Sequence, residues 1–153
     1  MQRITTFLTF ESRGKEAVDF YMSVFTDSTL GTVMVAPGSD TLLHAVFTLN
    51  GQEFMAMDGG PQFQFAQGIS LFVSCQAQEE VDYYWEKLTD GGGTPGQCGW
   101  LTDKFGVSWQ IIPTALGQLM QDSDPAATQR VMQAMLKMGK IDIAELEQAR
   151  DQR

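Results

Sequence analysis

Residues 7–25 read FLTFESRGKEAVDFYMSVF and residues 72–88 read FVSCQAQEEVDYYWEKL, so the chain carries one pattern twice. In each copy, a short alternating run leads into a helical segment with the order Glu, any residue, Val, Asp, aromatic, Tyr, which begins at Glu16 and again at Glu79. Two copies are too few to stack as a solenoid, so we expect them to pair across a pseudo-twofold axis and share one core. A cleft between such halves is the natural place for a ligand.

The first copy is predicted to be a βαβββ unit. Alternation indicates a strand over Ile4–Phe10, and an apolar stripe of helical spacing indicates a helix over Lys15–Phe25. Asn50-Gly51 between two apolar runs predicts a hairpin turn. The three later strands are predicted at Thr29–Val35, Leu42–Leu49 and Glu53–Asp58.

The second copy is predicted to follow the same order. Its strand begins near Ile69, and its helix over Gln78–Leu88 stops at the run Gly91–Gly93. Short strands are predicted near Gln97–Thr102 and Val107–Ile112. The predicted fold class is therefore α+β, with one domain over residues 1–113 made of units 1–61 and 66–113.

The chain changes character after Pro113. Asp124 before Pro125 is an N-cap followed by proline at the first helical position, and Asp142 with Glu145 forms a capping box. We therefore predict helices near 125–138 and 142–150. Residues 114–153 are interpreted as a C-terminal helical extension of the same domain.

Composition excludes several classes of partner. The net charge of −9 and a sequence pI near 4.4 repel phosphate backbones and anionic membrane surfaces, so neither nucleic acid nor membrane is expected as a partner. The sequence shows no signal-peptide pattern and no apolar run long enough to span a bilayer. Its two cysteines, Cys75 and Cys98, form no disulfide or metal-ligand motif. We predict a soluble, cytoplasmic protein with free thiols.

Several stretches together carry a family resemblance. They are the helix EAVDFYMSVF at 16–25, the turn DGGP at 58–61, QCGWL at 97–101 and DKFGVSWQIIP at 103–113. They resemble the PhnB-like branch of the vicinal oxygen chelate superfamily, which includes glyoxalases, bleomycin-resistance proteins and ring-cleaving dioxygenases. The last stretch is fairly specific for the branch, and the resemblance covers essentially the whole chain, tail included. It implies a glyoxalase-like fold of two paired βαβββ units.

Some members of this branch carry the label of 3-demethylubiquinone 3-methyltransferase-like proteins. A cofactor with an adenosine and a sulfonium usually lies over a Gly-rich turn from a strand to a helix. Here the only dense glycine run, Gly91–Gly93, follows a helix, where it is interpreted as a helix stop. The residues therefore argue against methyl transfer.

The repeat also predicts the state of the metal site. Superfamily members that use a metal typically place one ligand, usually His or Glu, on the first and last strand of each unit. Aligning the two copies puts Thr5 opposite Ser70 and Met55 opposite Gln110. None of these four side chains has an imidazole or a carboxylate, and divalent first-row metals need several such ligands. We therefore predict no metal and no other cofactor.

Two titratable residues remain open to more than one interpretation. His44, the sole histidine, could hydrogen-bond a ligand or act as a general base, or it could be a hydrogen-bonded histidine at a core edge or subunit contact. Asp58 could face the mouth of the cleft, or it could cap the turn that follows it.

Gln110 is the most informative polar candidate. The resemblance implies that the side chain at this position points into the cavity of the fold. An amide there could orient a polar ligand through a donor and an acceptor. Trp109, its neighbour, should face the other side of the strand. Trp100 and either Phe63 or Phe65 could line the pocket or could belong to the core.

Two classes of function remain. The first is a non-enzymatic binder of a small molecule, in which Gln110, Ser70 and Thr5, with His44 as a further candidate, orient the ligand in an apolar cup. The second is a lyase or isomerase of the glyoxalase type, working without the usual metal set or with metal held by other residues. Its candidate proton-transfer groups are His44, Asp58, Asp103 and Cys98. The missing ligands favour the binder over the enzyme.

We also predict a homodimer. Superfamily members of this architecture commonly build the cleft between chains or exchange units. In the tail, Met132, Met135 and Met138 offer an apolar surface for such an interface. Packing onto the domain's own sheet is, however, the more usual explanation of such a methionine stripe.

Overall fold

The computed structural model describes residues 2–152, and it divides the chain into two compact units that meet in sequence between Phe65 and Ala66. Each unit contains a strand, a helix and three further strands in that order, as predicted. Positions 1 and 153, which the predicted domain limits include, lie outside the described residues. No helix in the described range is long and apolar enough to cross a membrane.

The first unit is a four-stranded mixed sheet with one helix. The sheet order is β1-β4-β3-β2, in which β1 and β4 are parallel and the other pairs are antiparallel. The hairpin predicted at Asn50-Gly51 is present, and both residues have positive φ, as a two-residue turn between twisted strands requires. The elements are β1 (Thr6–Phe10), α1 (Gly14–Val24), β2 (Ser28–Val35), β3 (Leu42–Leu49) and β4 (Gln52–Asp58).

Strand alternation gives this sheet one buried face and one open face. Leu8, Ala45, Phe47 and Phe54 are almost fully buried on the side where α1 packs. The rings of Phe47 and Phe54 stack with centroids 5.6 Å apart. Within each strand, the residues that alternate with these buried ones point to the opposite face and are more accessible to solvent. Phe7, on that face, is 45% exposed.

The second unit repeats this arrangement with shorter strands. Its sheet order is β5-β8-β7-β6, and the first and last strands of the unit, β5 and β8, again pair in parallel. The strand predicted near Gln97–Thr102 is confirmed in its last three residues, and a two-residue strand that was not predicted precedes it. The elements are β5 (Leu71–Cys75), α2 (Gln78–Thr89), β6 (Thr94–Pro95), β7 (Trp100–Thr102) and β8 (Ser108–Pro113).

Asp103 organises the turn between β7 and β8. Its carboxylate is 3% exposed and accepts hydrogen bonds from the backbone N–H groups of Phe105 and Val107, at 2.8 and 3.0 Å. Its second oxygen accepts from Nε1 of Trp109 at 2.9 Å. A buried carboxylate with three donors aimed at it is a structural centre, because the donors lose their partner if it is removed.

The tail groups with the second unit and forms a small core of its own. It contains α3 (Thr114–Leu119), which the sequence analysis missed, α4 (Pro125–Met135) and α5 (Ile143–Asp151). Asp124 and Asp142 cap α4 and α5 as predicted, accepting from Ala126 and Glu145. Buried side chains from all three helices and the connecting segment meet in one cluster: Leu116, Leu119, Val131, Met138, Ile141 and Leu146.

This cluster decides the role of Met138. The residue is 7% exposed within the cluster, as the core interpretation of the methionine stripe predicts, and the partly buried Met135 packs against the cluster. Met132 is 43% exposed and Leu136, one turn further on, is 55% exposed. The apolar surface of the tail is therefore narrower than the sequence suggested.

Polar contacts fix the tail to the sheet and to α2. The N–H groups of Cys98 and Gly99 donate to the carbonyls of Met138 and Gly139, both at 2.8 Å. The side-chain amide of Gln78 accepts from the N–H of Ile143 and donates to the carbonyl of Ile141. Hydrogen bonds to Asp82 from Lys140 and then from Gln78 hold the pKa of that carboxyl below its usual value.

We predict that Asp103→Ala lowers the free energy of unfolding by about 3 kcal/mol, because it strands three buried donors. Urea denaturation followed by tryptophan fluorescence measures it, since Trp85, Trp100 and Trp109 all lie in the second unit. Asp103→Asn should lose less, because its amide oxygen still accepts. Glu147→Ala, at an exposed site on α5, is the control. A loss for Asp103→Ala no larger than that of the control would contradict this role.

Candidate functional site

A row of three side chains crosses the open face of the second sheet. In the strand register, Phe72 of β5 and Trp100 of β7 both lie opposite Gln110 of β8. The neighbours of Gln110, Trp109 and Ile111, are 2% and 0% exposed on the other face. The period of two along β8 therefore sends Gln110 away from the core, between two aromatic rings.

Ser70 fixes the amide of Gln110. Its Oγ accepts a hydrogen bond from Nε2 of Gln110 at 2.9 Å, across 40 positions of sequence. A primary amide has two N–H donors and one oxygen acceptor, so the second N–H and Oε1 are the groups that a ligand on this face would meet. The bond to Ser70 orients the amide before any ligand arrives.

The side chains around Gln110 are apolar and accessible. Phe72, a large apolar residue on the edge strand β5, is 58% exposed, and Trp100 is half-buried. Trp100 is among the residues predicted from the sequence to line the site, and Phe72 is not. The signal was present, because Val73 and Cys75 are the inward positions of β5 and alternation therefore sends Phe72 outward.

The first unit has an equivalent row on its own open face. Phe7 of β1 and Val46 of β3 both lie opposite Met55 of β4. Met55 thus occupies in its sheet the place that Gln110 occupies in the other, and Thr5 precedes Phe7 by two residues as Ser70 precedes Phe72. Oγ1 of Thr5 accepts from Nε2 of Gln2 at 3.3 Å.

His44 lies on the same open face of the first sheet. It is partly exposed on β3 opposite Met34, and its ring centroid is 6.2 Å from that of Phe7 at a tilt of 41°. Within residues 2–152, no carboxylate contacts the imidazole to orient it. The ring is thus partly accessible on this face, but within residues 2–152 it lacks the carboxylate partner that a general base usually has.

Asp58 does not cap the turn that follows it, which is one of the two roles considered from the sequence. Its Oδ1 accepts from the N–H of Gly14 at 2.8 Å, and its Oδ2 accepts from the N–H of Leu42 at 2.8 Å. The carboxylate therefore joins the start of α1 to the start of β3, and it lies on the helix side of β4, away from Met55. It also borders an open groove of about 650 Å³ beside the start of α1, together with Arg13 and Asp40.

The phenylalanine candidates belong to the first unit. Phe65 packs edge-on against the buried Phe10, with ring centroids 5.1 Å apart, which assigns it to the core of that unit. Phe63 is 43% exposed in the segment after β4.

The remaining proton-transfer candidates differ in availability. Asp103 is committed to the turn before β8. Cys98 is half-buried with a positive φ, and its N–H donates a hydrogen bond to the carbonyl of Met138 in the tail.

The other cysteine, Cys75, is unreactive. Burial, followed by the charge of Glu80, raises the pKa of its thiol to about 12, so the thiol stays protonated at neutral pH.

The donor chemistry does not fit a metal centre. The four positions equivalent to superfamily ligands carry two hydroxyls, a thioether and an amide, at Thr5, Ser70, Met55 and Gln110. Across the described part of the chain, no three His, Cys, Asp or Glu side chains form a group that could hold a metal ion.

The family described as "3-demethylubiquinone-9 3-methyltransferase" matches residues 2–112. The chain belongs to this family. The match ends before the tail. The family resemblance, which was expected to include the tail, is therefore shown only for the part of the chain that holds the two βαβββ units. No curated protein matches the chain.

Solved structures place the family within a superfamily. A protein of Bacillus cereus, described as a putative 3-demethylubiquinone-9 3-methyltransferase and PhnB protein, is 39% identical; the match covers 72% of this chain and 99% of that one, with a TM-score of 0.68. A Pseudomonas aeruginosa protein is 22% identical, with 74% and 98% covered and a TM-score of 0.63. The fold is that of the PhnB-like branch of the vicinal oxygen chelate superfamily.

One further neighbour shows the same fold with a ligand bound. The fosfomycin resistance protein FosX of Listeria monocytogenes, solved with Mn(II) and a dihydroxypropylphosphonic acid, is 16% identical, with 73% of this chain and 92% of that one covered and a TM-score of 0.54. At that identity the likeness extends to the fold alone.

Proposed function

We propose that this PhnB-like protein is a non-enzymatic binder of a small molecule, which it holds on the open face of the second sheet. The observation that carries the proposal is the amide of Gln110, oriented by Ser70 and flanked by the accessible rings of Phe72 and Trp100. Apolar walls with a few oriented polar groups are the usual composition of a small-molecule site. Thr5, Met55 and His44 on the first sheet are the secondary candidates for ligand contact.

The surroundings of three of the four candidate proton-transfer groups support binding over catalysis. Of the four candidates, Asp58 and Asp103 are bonded to backbone donors that hold the fold together. His44 contacts an aromatic ring, and a catalytic base needs a group that orients it. The second sheet's own row consists of an amide and two aromatic rings, none of which titrates near neutral pH.

The proposal includes a site that works without metal and without a methyl-donor cofactor. The hydroxyl, thioether and amide groups at the four ligand-equivalent positions support the first part. The turns from β1 to α1 and from β5 to α2, residues 11–13 and 76–77, contain no glycine. That composition supports the second part, because adenosine cofactors usually lie over a Gly-rich turn of this type.

A cytoplasmic location without nucleic-acid or membrane partners completes the proposal. The free thiols of Cys75 and Cys98 suit a reducing compartment. The net charge of −9 repels polyanionic partners.

We expect Gln110→Ala to weaken ligand binding about tenfold, the value of one neutral hydrogen bond. The measurement is a thermal-shift screen of small molecules, followed by calorimetric titration of each hit against wild type, Gln110→Ala and the exposed-site control Gln133→Ala. The control should bind as wild type does. Unchanged affinity in Gln110→Ala, or saturable turnover of any hit, would contradict the proposal.

We also expect a homodimer in solution, with Met132 and Leu136 of α4 at its interface. These two side chains lie four residues apart and so share one face of the helix. Light scattering should give twice the chain mass of 17.0 kDa for wild type and a lower mass for Leu136→Lys. A monomeric wild type at micromolar concentration would refute the dimer.

A further inference from the structure

A groove of about 330 Å³ lies where the open face of the second sheet meets the tail. Phe72 and Ser74 of β5 and Ile112 of β8 form one side, and Gly117 and Gln118 of α3 belong to the other. Its volume is at the lower end of the range for small-molecule sites, enough for a fused two-ring molecule.

The groove continues the face that carries Gln110. Ile112 follows Gln110 by two residues on β8, and Ser74 follows Phe72 by two on β5, so all four point to the same side. Phe72 belongs both to the row around Gln110, which it faces in the strand register, and to the lining of the groove. A molecule lying on Phe72 can therefore contact the amide of Gln110 and the groove together.

The helical side of the groove lies outside the family match. The family match ends at residue 112, and α3 begins at Thr114. The tail is held in place by its own buried cluster, which includes Leu116 and Leu119 from the buried side of α3. Gly117 and Gln118 are exposed on the other side of the same helix.

Every side chain that lines the groove is uncharged, in a chain whose net charge is −9. A charged ligand would lose hydration there without gaining an opposite charge, and an anion would also be repelled by the field of the whole protein. Hydroxyl and amide groups on Ser74 and Gln118, by contrast, can bond to an uncharged polar group. The chemistry of the lining selects a neutral ligand.

We propose that α3 extends the binding face into an elongated site for an uncharged molecule with a flat apolar part and a hydroxyl or carbonyl group. The apolar part lies on Phe72 and Ile112, and the polar group meets the amide of Gln118 or the hydroxyl of Ser74. This inference rests on the proposed function, because it assigns the ligand class and the second wall of the same site.

Gly117 allows a test that fills the groove without disturbing the fold. A Cβ at this position meets no atom within 4 Å, so a larger side chain has room. Leucine is also a better helix former than glycine, so Gly117→Leu should melt at the same temperature as wild type or higher. Gln133→Leu, which adds the same side chain at an exposed position of α4, is the matched control.

The probes are 2-naphthol, which is neutral at pH 7, and 2-naphthoate, which has the same rings and a negative charge. We expect 2-naphthol to shift the amide NMR signals of Ser74 and Gly117 in isotope-labelled protein, and 2-naphthoate to bind about tenfold more weakly or worse. Gly117→Leu should weaken 2-naphthol by at least about tenfold, because leucine occupies its space, while Gln133→Leu should leave it unchanged.

The outcomes separate this inference from the proposed function. If 2-naphthol binds Gly117→Leu as it binds wild type but fails to bind Gln110→Ala, α3 is no part of the site and only the proposed function stands. If Gly117→Leu loses the probe and Gln110→Ala keeps it, the groove stands and the location at Gln110 fails. Equal affinity for the two probes overturns the neutral-ligand assignment. Shifts at Ser74 and Gly117 that follow protein concentration alone identify a second copy as the occupant and overturn the inference.

Discussion

Strand alternation is the constraint on which this protein's structure and its candidate site both depend. A side chain facing the helix must be apolar and well packed, and its neighbour must face the other way. Trp109 and Ile111 meet the first condition, and their burial fixes the register of β8 so that Gln110 points outward. The amide is thus positioned by the core beneath it, and Ser70 sets its orientation.

The two units use one plan for different purposes. Met55 in the first sheet and Gln110 in the second hold equivalent positions, each opposite an exposed phenylalanine. The thioether offers a ligand contact area and adaptable packing, whereas the amide offers directional hydrogen bonds. Carboxylates serve the scaffold in both: the partly exposed Asp58 joins α1 to β3, and the buried Asp103 shapes the turn before β8. The acids that a sequence reader would consider for catalysis are therefore committed to structure.

Sequence reasoning recovered the elements whose causes are local. The Asn50-Gly51 hairpin and the helix caps at Asp124 and Asp142 depend on a few adjacent residues. Strand alternation was enough to predict that Met55 and Gln110 occupy equivalent positions in the two sheets. It missed α3, a helix of six residues with no side-chain cap that forms because Leu116 and Leu119 join the tail cluster. It left Met138 between a core and an interface role, since only the three-dimensional packing of the tail shows which side of a methionine stripe is buried. The structural role of Asp58 was not predicted, because the two N–H groups that donate to its carboxylate, those of Gly14 and Leu42, lie far from it in sequence.

We propose that the superfamily fold works here as a binding scaffold without a metal. The decisive test is elemental analysis of chelator-treated protein that has been incubated with zinc, nickel, manganese and iron, followed by thermal melts. We expect far less than one equivalent of any metal per chain and an unchanged melting temperature, because hydroxyl, thioether and amide groups hold these ions poorly. Stoichiometric metal with a clear rise in melting temperature would contradict it, since a ligand that binds the folded state stabilises it.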